Sequence, residues 1–164
     1  MAVGIAERLG CTALNALYGN RIAGESPEAQ DELALENLRL AAKAAQEIDA
    51  VLLLEALNSY ESPDYPIVSS AHALRVIEQI GAPNARFLCD LYHLARMGED
   101  LVHVIDTFGP HIGHVQIADS PGRGRPGSGE LDFEALFAAL DAVGYDGYIG
   151  LEYKDPELDW EWIK

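Results

Sequence analysis

Apolar residues along this chain follow two alternating patterns. Short runs of the kind that fill strands occur at Thr12–Leu17, Ala50–Leu54, Ala85–Cys89, Ile112–Ile117 and Tyr148–Leu151. Longer stretches with helical spacing separate them, at Leu33–Ile48, Ala71–Ile80, Leu101–Thr107 and Phe133–Val143. In the first of these, LALENLRLAAKAAQEI, Leu and Ala recur on one helix face, and Glu36 stands three residues before Arg39, a spacing that lets two side chains pair. Gly81, Gly109 and Gly144 stand where the helices should stop, each just ahead of the next strand. Asp132, directly before FEALFAALDAV, reads as an N-cap.

Strands that alternate with helices predict parallel βαβ units, an α/β fold. VLLL and FLC are apolar at every position, as strands covered on both faces require. Polar residues close these runs at regular intervals. Glu55, Asp90, Gln116 and Glu152 lie 35, 26 and 36 positions apart. Their mean of about 32 is close to the roughly 31 residues per unit of an eight-unit barrel. One further step back from Glu55 reaches Gly19–Asn20, at the end of the ALNALY strand. Five units therefore fill residues 1–164 as a single domain. Two architectures fit: a small open sheet, or a (β/α)8 TIM barrel without its first three strands.

Charge narrows the partners. With 11 Lys and Arg against 27 Asp and Glu, the net charge is −16. That charge repels a phosphate backbone or an anionic bilayer, so no nucleic acid and no membrane is expected as a partner. No uncharged apolar run approaches the ~18 residues of a spanning helix. The opening MAVGIA has no basic flank and soon meets Glu7 and Arg8, unlike a secretion signal. Cys11 and Cys89 form neither a close pair nor a zinc-type spacing. Together these features predict a soluble, cytoplasmic protein.

Parallel α/β sheets carry their sites at the carboxyl ends of strands. A single acidic residue there is usually a helix cap or a solvated loop start. Four acceptors at equivalent points of successive units converge on one mouth, where three carboxylates repel unless a cation or a proton intervenes. The all-oxygen set Glu55, Asp90, Gln116 and Glu152, with its neutral amide, suits Mg²⁺ or Mn²⁺ better than zinc. His93, three residues past Asp90, is placed to face a substrate oxygen, although a lone His is more often an ordinary core or surface residue. The Gly- and Pro-rich segment Ser120–Glu130 has no Gly-Lys-Ser/Thr and is no P-loop. It reads either as a solvated connection or as a mobile flap carrying Arg123 or Arg125 over an anionic substrate. SYESPDYP, after Glu55, is a second candidate wall, with Glu61 able to reach a hydroxyl.

The stretches LLEALNSYESPDY, FLCDLYHLARMGEDL, IGHVQIADSPGRGRPGSGELDF and GYDGYIGLEY, in this order, resemble the hydroxypyruvate isomerase family. That family lies within the sugar isomerase and epimerase TIM barrels related to xylose isomerase. The resemblance implies a divalent metal, Mg²⁺ or Mn²⁺, on Glu55, Asp90, Gln116 and Glu152, with Glu55 and Glu152 also moving protons. It implies substrate contacts from His93, Arg123 and Glu61. The implied reaction interconverts hydroxypyruvate and tartronate semialdehyde through a metal-stabilised enediolate, on a small hydroxy-keto acid or sugar substrate. Ketose 3-epimerases of the same superfamily usually have His where this chain has Gln116, which favours the isomerase branch. An endonuclease IV-like role is disfavoured by the charge and the shortage of histidines. Family barrels have eight strands, so the chain corresponds to strands 4–8, opening at the helix before strand four and reaching only the start of a final helix at Leu158–Lys164. A third reading is therefore a non-catalytic, metal-binding barrel fragment, whose open edges predict self-association.

Overall fold

Five strands pair in the order in which the chain makes them: β1 (Ala13–Asn15), β2 (Val51–Glu55), β3 (Ala85–Asp90), β4 (Ile112–Ile117) and β5 (Ile149–Leu151). All four pairings are parallel. The computed structural model describes residues 1–154, and the segment 155–164, where the sequence suggests the start of a final helix, lies outside the described residues. Among the described residues six α-helices accompany the strands: α1 (Ala2–Leu9), α2 (Pro27–Gln46), α3 (Ser70–Ile80), α4 (Leu91–Arg96), α5 (Leu101–Phe108) and α6 (Phe133–Ala142). A doubly wound sheet reverses its strand order at a switch point. This sheet does not reverse, and it curls until β2 and β4 touch across β3. Of the two architectures open to the sequence, the molecule is the partial TIM barrel.

Local chemistry sets the element boundaries. Ser26 caps α2 by accepting from the Ala29 N–H, with Pro27 in the first turn. The helix thus begins six residues before its apolar face does, because the first turn, PEAQDE, is polar. Ser69, Asp100 and Asp132 cap α3, α5 and α6 in the same way, and Asp132 accepts from the Ala135 N–H at 3.1 Å. Gly81 ends α3 at φ 70°, in the left-handed region that glycine adopts without strain. Gly109 works differently. Its φ is −43°, and a Cβ there would stand 2.8 Å from the Val143 Cβ, so it is small to let α6 approach. Arg39, three residues after Glu36, reaches across to α3 and donates to the carbonyls of Gln79 and Ile80 at 2.7 and 3.4 Å, where α3 leaves acceptors unpaired. The short α4 carries no extended apolar period. It starts on the Asp90 carboxylate, which accepts from the N–H groups of Tyr92 and His93.

The core lies between the convex face of the sheet and the helices. Leu52 and Leu54, Phe87 and Cys89, and Val115 and Ile117 point outward into Leu74 and Ile77 of α3, Val104 and Ile105 of α5, and Leu136 and Leu140 of α6. Alternate residues of the same strands, Glu55, Asp90 and Gln116 among them, face the concave side. The outer edges of β1 and β5 are unpaired among the described residues, and Leu17, Tyr148 and Leu151 beside them are exposed.

Candidate active site and metal centre

Side chains at the carboxyl edge of β2, β3, β4 and β5 come together on the concave side. Glu55 and Asp90 are the last residues of β2 and β3, and both are buried. In the sheet register Asp90 pairs with Gln116, and Gln116 with Gly150, two residues before Glu152. The backbone N–H of Glu152 donates to the Ile117 carbonyl at 3.0 Å, which carries the β4–β5 pairing one residue further. A cavity of about 630 Å³ opens over this edge, lined by Asn15, Glu55, Glu61, His93, Arg123 and Glu152 together with Lys154.

Burial dominates the electrostatics. It raises the Glu55 carboxyl to about 7, opposed by a hydrogen bond from Asn15 Nδ2 at 2.8 Å and assisted by the charge of Glu152. Asp90 is pushed upward as well, first by burial and then by Glu55 and Glu152, against the N–H of His93. His93 is held down to about 4 by burial and then by Arg123, so its ring is neutral near neutral pH.

The hydrogen bonds of that ring decide its role. His93 Nδ1 accepts the backbone N–H of Asn58 at 3.0 Å, with Asn58 Nδ2 at 2.8 Å. With Nδ1 used as an acceptor, the neutral ring carries its proton on Nε2. Nε2 lies 3.8 Å from Glu55 Oε1 and 3.9 Å from Asp90 Oδ2. Glu55, Asp90 and His93 bring ligand-type atoms within 4.8 Å of one another. The tautomer nevertheless makes His93 a donor into the site, with no lone pair free for a cation. Gln116 supplies what His93 does not. Its Oε1 is buried without a hydrogen-bond partner among the described residues, an unusual state for an amide oxygen. Two buried carboxylates that retain protons and an orphaned amide oxygen form a set that fits a hard divalent cation.

A second group forms the outer wall. Arg123 Nη1 is 2.9 Å from Glu61 Oε2, and its Nη2 is 3.3 Å from Glu152 Oε1. Its guanidinium lies over the Tyr92 ring, 5.1 Å from the centroid. Burial alone would raise Glu61, but hydrogen bonds from Asn58 and Tyr92 and the charge of Arg123 hold it below the ordinary range. Glu55, Asp90, Gln116, Glu152, His93, Arg123 and Glu61 therefore all gather at one edge.

The loop that carries Arg123 is not a free flap. Asp119, fully buried, accepts four backbone N–H groups with its carboxylate, from Ser120, Gly127, Gly129 and Leu131, at 2.8–3.1 Å. A Cβ on Gly129 would stand 2.6 Å from Asp119 Oδ1, so the glycine is needed for the loop to wrap this closely. On β1 the edge falls at Asn15 instead of Gly19–Asn20. After Ala16, whose N–H still donates to the Leu53 carbonyl at 2.9 Å, the chain leaves the sheet, and the Tyr18 N–H turns to the Tyr65 hydroxyl at 3.1 Å, which itself donates to the Glu55 carbonyl. Asn15, Asn58 and Asp119, which hold Glu55, His93 and the Arg123 loop by hydrogen bonds, are positions the sequence reading does not single out. Asn15 stood in plain view as the polar residue of the ALNALY strand.

A curled, parallel strand–helix sheet with buried carboxylates and an amide at its carboxyl edge defines a partial (β/α) barrel with a candidate metal centre. The chain belongs to the xylose isomerase-like TIM barrel family, whose model matches residues 1–163. A Streptomyces coelicolor protein that carries hydroxypyruvate isomerase as a provisional name is 58% identical over 99% of this chain and 61% of its own length. Hydroxypyruvate isomerase of Escherichia coli is 37% identical over 93% of this chain and 59% of its own length. Among solved structures, one described as an AP endonuclease, family 2, from Brucella melitensis superposes with a TM-score of 0.88 at 36% identity, covering 93% of this chain and 58% of that one. The chain thus spans about three-fifths of the length of the relatives it matches. Among the described residues, no helix is long and apolar enough to cross a membrane.

Proposed function

We propose that this chain carries the catalytic centre of an isomerase that interconverts hydroxypyruvate and tartronate semialdehyde. The observation that carries the reading is the convergence of Glu55, Asp90, Gln116 and Glu152 from four successive units, with Gln116 Oε1 buried and without a hydrogen-bond partner among the described residues, beside two carboxyls that burial pushes upward. The names of the sequence relatives support the substrate.

Glu55, Asp90, Gln116 and Glu152 would hold Mg²⁺ or Mn²⁺, which when bound draws electron density from the substrate carbonyl and acidifies the adjacent C–H. The reaction needs no redox partner. A proton leaves C3 of hydroxypyruvate and one is delivered to C2, while the hydroxyl proton on O3 passes to O2. Glu55, a buried carboxyl titrating at about 7, is suited to accept and return a carbon proton near neutral pH. Glu152 faces the same cavity from beyond β5 and shares the transfer. His93 donates its Nε2–H to a substrate oxygen, and Asn58 keeps that proton in place. Arg123 and Glu61 contact the substrate from the loop side, Glu61 as acceptor for a hydroxyl.

The test is exchange of the C3 protons of hydroxypyruvate with heavy water, followed by NMR on the 164-residue chain with Mn²⁺ or Mg²⁺. Exchange should require the metal and stop with a chelator. Glu152→Gln should slow it by ~10²–10⁴, the usual loss for a general base. Glu134→Gln, exposed in the first turn of α6, is the matched control. Exchange by Glu152→Gln at the parent rate would remove Glu152 from the mechanism. A parent that binds metal without exchange would favour the non-catalytic fragment, and turnover of a ketohexose in place of hydroxypyruvate would favour a 3-epimerase.

A further inference from the structure

We infer that Lys154 is the specificity-determining residue that takes the carboxylate of the substrate and so selects a keto acid over a neutral sugar. The inference rests on the isomerase reading above. Among the described residues, two cations face the cavity, Arg123 and Lys154. Both terminal nitrogens of Arg123 are occupied, Nη1 by Glu61 at 2.9 Å and Nη2 by Glu152 at 3.3 Å. Two carboxylates already answer its single charge. Each nitrogen keeps a second hydrogen for a substrate oxygen, but a bidentate grip on a third carboxylate would displace groups that shape the site.

Lys154 is placed differently. Among the described residues its ammonium has one ion pair, to Glu61 Oε1 at 3.8 Å, beyond hydrogen-bond reach, and its side chain is 71% exposed. Glu61 loses little when that contact opens, because Asn58, Tyr92 and Arg123 already hold its carboxylate. The root of Lys154 is fixed, since its backbone N–H donates to the Arg123 carbonyl at 2.7 Å. A flexible four-carbon stem then carries three rotatable donors over the cavity. The balance of charge gives this ammonium its meaning. Glu55, Glu61 and Glu152 line the same space, and the whole chain carries −16. A neutral ketose enters such a site without electrostatic cost, whereas a keto acid needs a cation that is not already neutralised.

Hydroxypyruvate and dihydroxyacetone form a matched pair for the test. Both present a ketone beside a hydroxymethyl group, and they differ in having a carboxylate or a second hydroxymethyl. Ligand-detected NMR on the Mg²⁺-loaded chain measures half-saturation for both compounds, alongside the exchange assay. Lys154→Met should shift the ratio of the two affinities against hydroxypyruvate by about tenfold or more, the size of a lost charge-assisted hydrogen bond. Lys154→Arg should restore most of the ratio. Lys43→Met, on the exposed face of α2, should leave it unchanged. An unchanged ratio in Lys154→Met would overturn the inference and leave the isomerase reading standing. Equal weakening of both ligands would reduce Lys154 to a piece of wall and overturn it too. A parent that binds neither compound would overturn the isomerase reading, and the inference with it.

Discussion

Asp119 turns a glycine-rich stretch into a wall. Four N–H groups point at one buried carboxylate, each a charge-assisted bond in a setting where water does not compete. Asp119→Asn keeps the shape but aims an amide N–H at donors, and Asp119→Ala leaves all four unpaired. Either substitution should cost about 2–4 kcal/mol in urea unfolding. The asparagine form should in addition free Arg123 from its place between Glu61 and Glu152, seen as loss of protection in hydrogen exchange across residues 119–131. Full stability in Asp119→Asn would show that the loop is held by something else. Residues of this kind are hard to read from a sequence because their partners are backbone groups. Asn58 is the same case: it fixes the proton of His93, 35 positions away, through its own N–H. Glu55, Asp90, Gln116 and Glu152 were legible because strand ends recur, and side chains at equivalent points of successive units repeat a chemical type.

Strands and helices were legible where burial imposes a period. β2, β3 and β4 are apolar throughout their outward faces; the bounds of β4 match expectation and those of β2 and β3 differ by one residue. β1 and β5 are three residues each at the two outer edges, where pairing on one side sustains less strand than the apolar run suggests. β4 hides one irregularity. Its register against β3 shifts between Phe87 and Leu88, so Phe87 meets Ile112 while Leu88 meets His114. Gly113 occupies the extra position. A Cβ there would come 2.5 Å from the Arg86 Cβ, which the β3 backbone fixes, and 2.8 Å from Leu53 Cδ2. Gly113→Ala should therefore destabilise the sheet by about 1–3 kcal/mol through overpacking, measured by thermal unfolding. Gly122→Ala, with nothing within 4 Å and no positive φ, should be close to neutral. A stable Gly113→Ala would mean that β4 can slide past the shift. Gln116 would then move away from Asp90, so the variant should weaken Mn²⁺ binding even if it folds.

At the scale of the whole molecule, the concave face concentrates negative charge that the fold does not neutralise by itself. Glu55 and Asp90 hold protons more tightly when folded than unfolded, first because they are buried. Groups raised in this way support the fold while protonated, and that support fades as pH climbs from the unfolded carboxyl value towards the folded one. For Glu55, raised from 4.5 to about 7, the loss is roughly 3 kcal/mol. Metal-free protein should melt at a lower temperature at pH 7.5 than at pH 5.5. Mn²⁺ should reverse the trend, because the cation takes the place of the protons and binds best when they are gone. Glu55→Gln should flatten the metal-free profile. Melting temperatures that rise with pH in the presence of chelator would contradict this account of the centre.

Every strand pairs with the one made just before it, so the polypeptide can settle onto the growing sheet as it leaves the ribosome. Pairing only with the newest neighbour keeps the loops to be closed short, and each closure waits for no distant segment. The four oxygen donors are then delivered in a fixed succession: Glu55, Asp90, Gln116 and last Glu152. The earlier three belong to strands with neighbours on both sides, whereas Glu152 follows an edge strand of three residues. In the mechanism proposed above, the nascent chain gains three of its cation ligands before Glu152, the second proton-transfer group, is made.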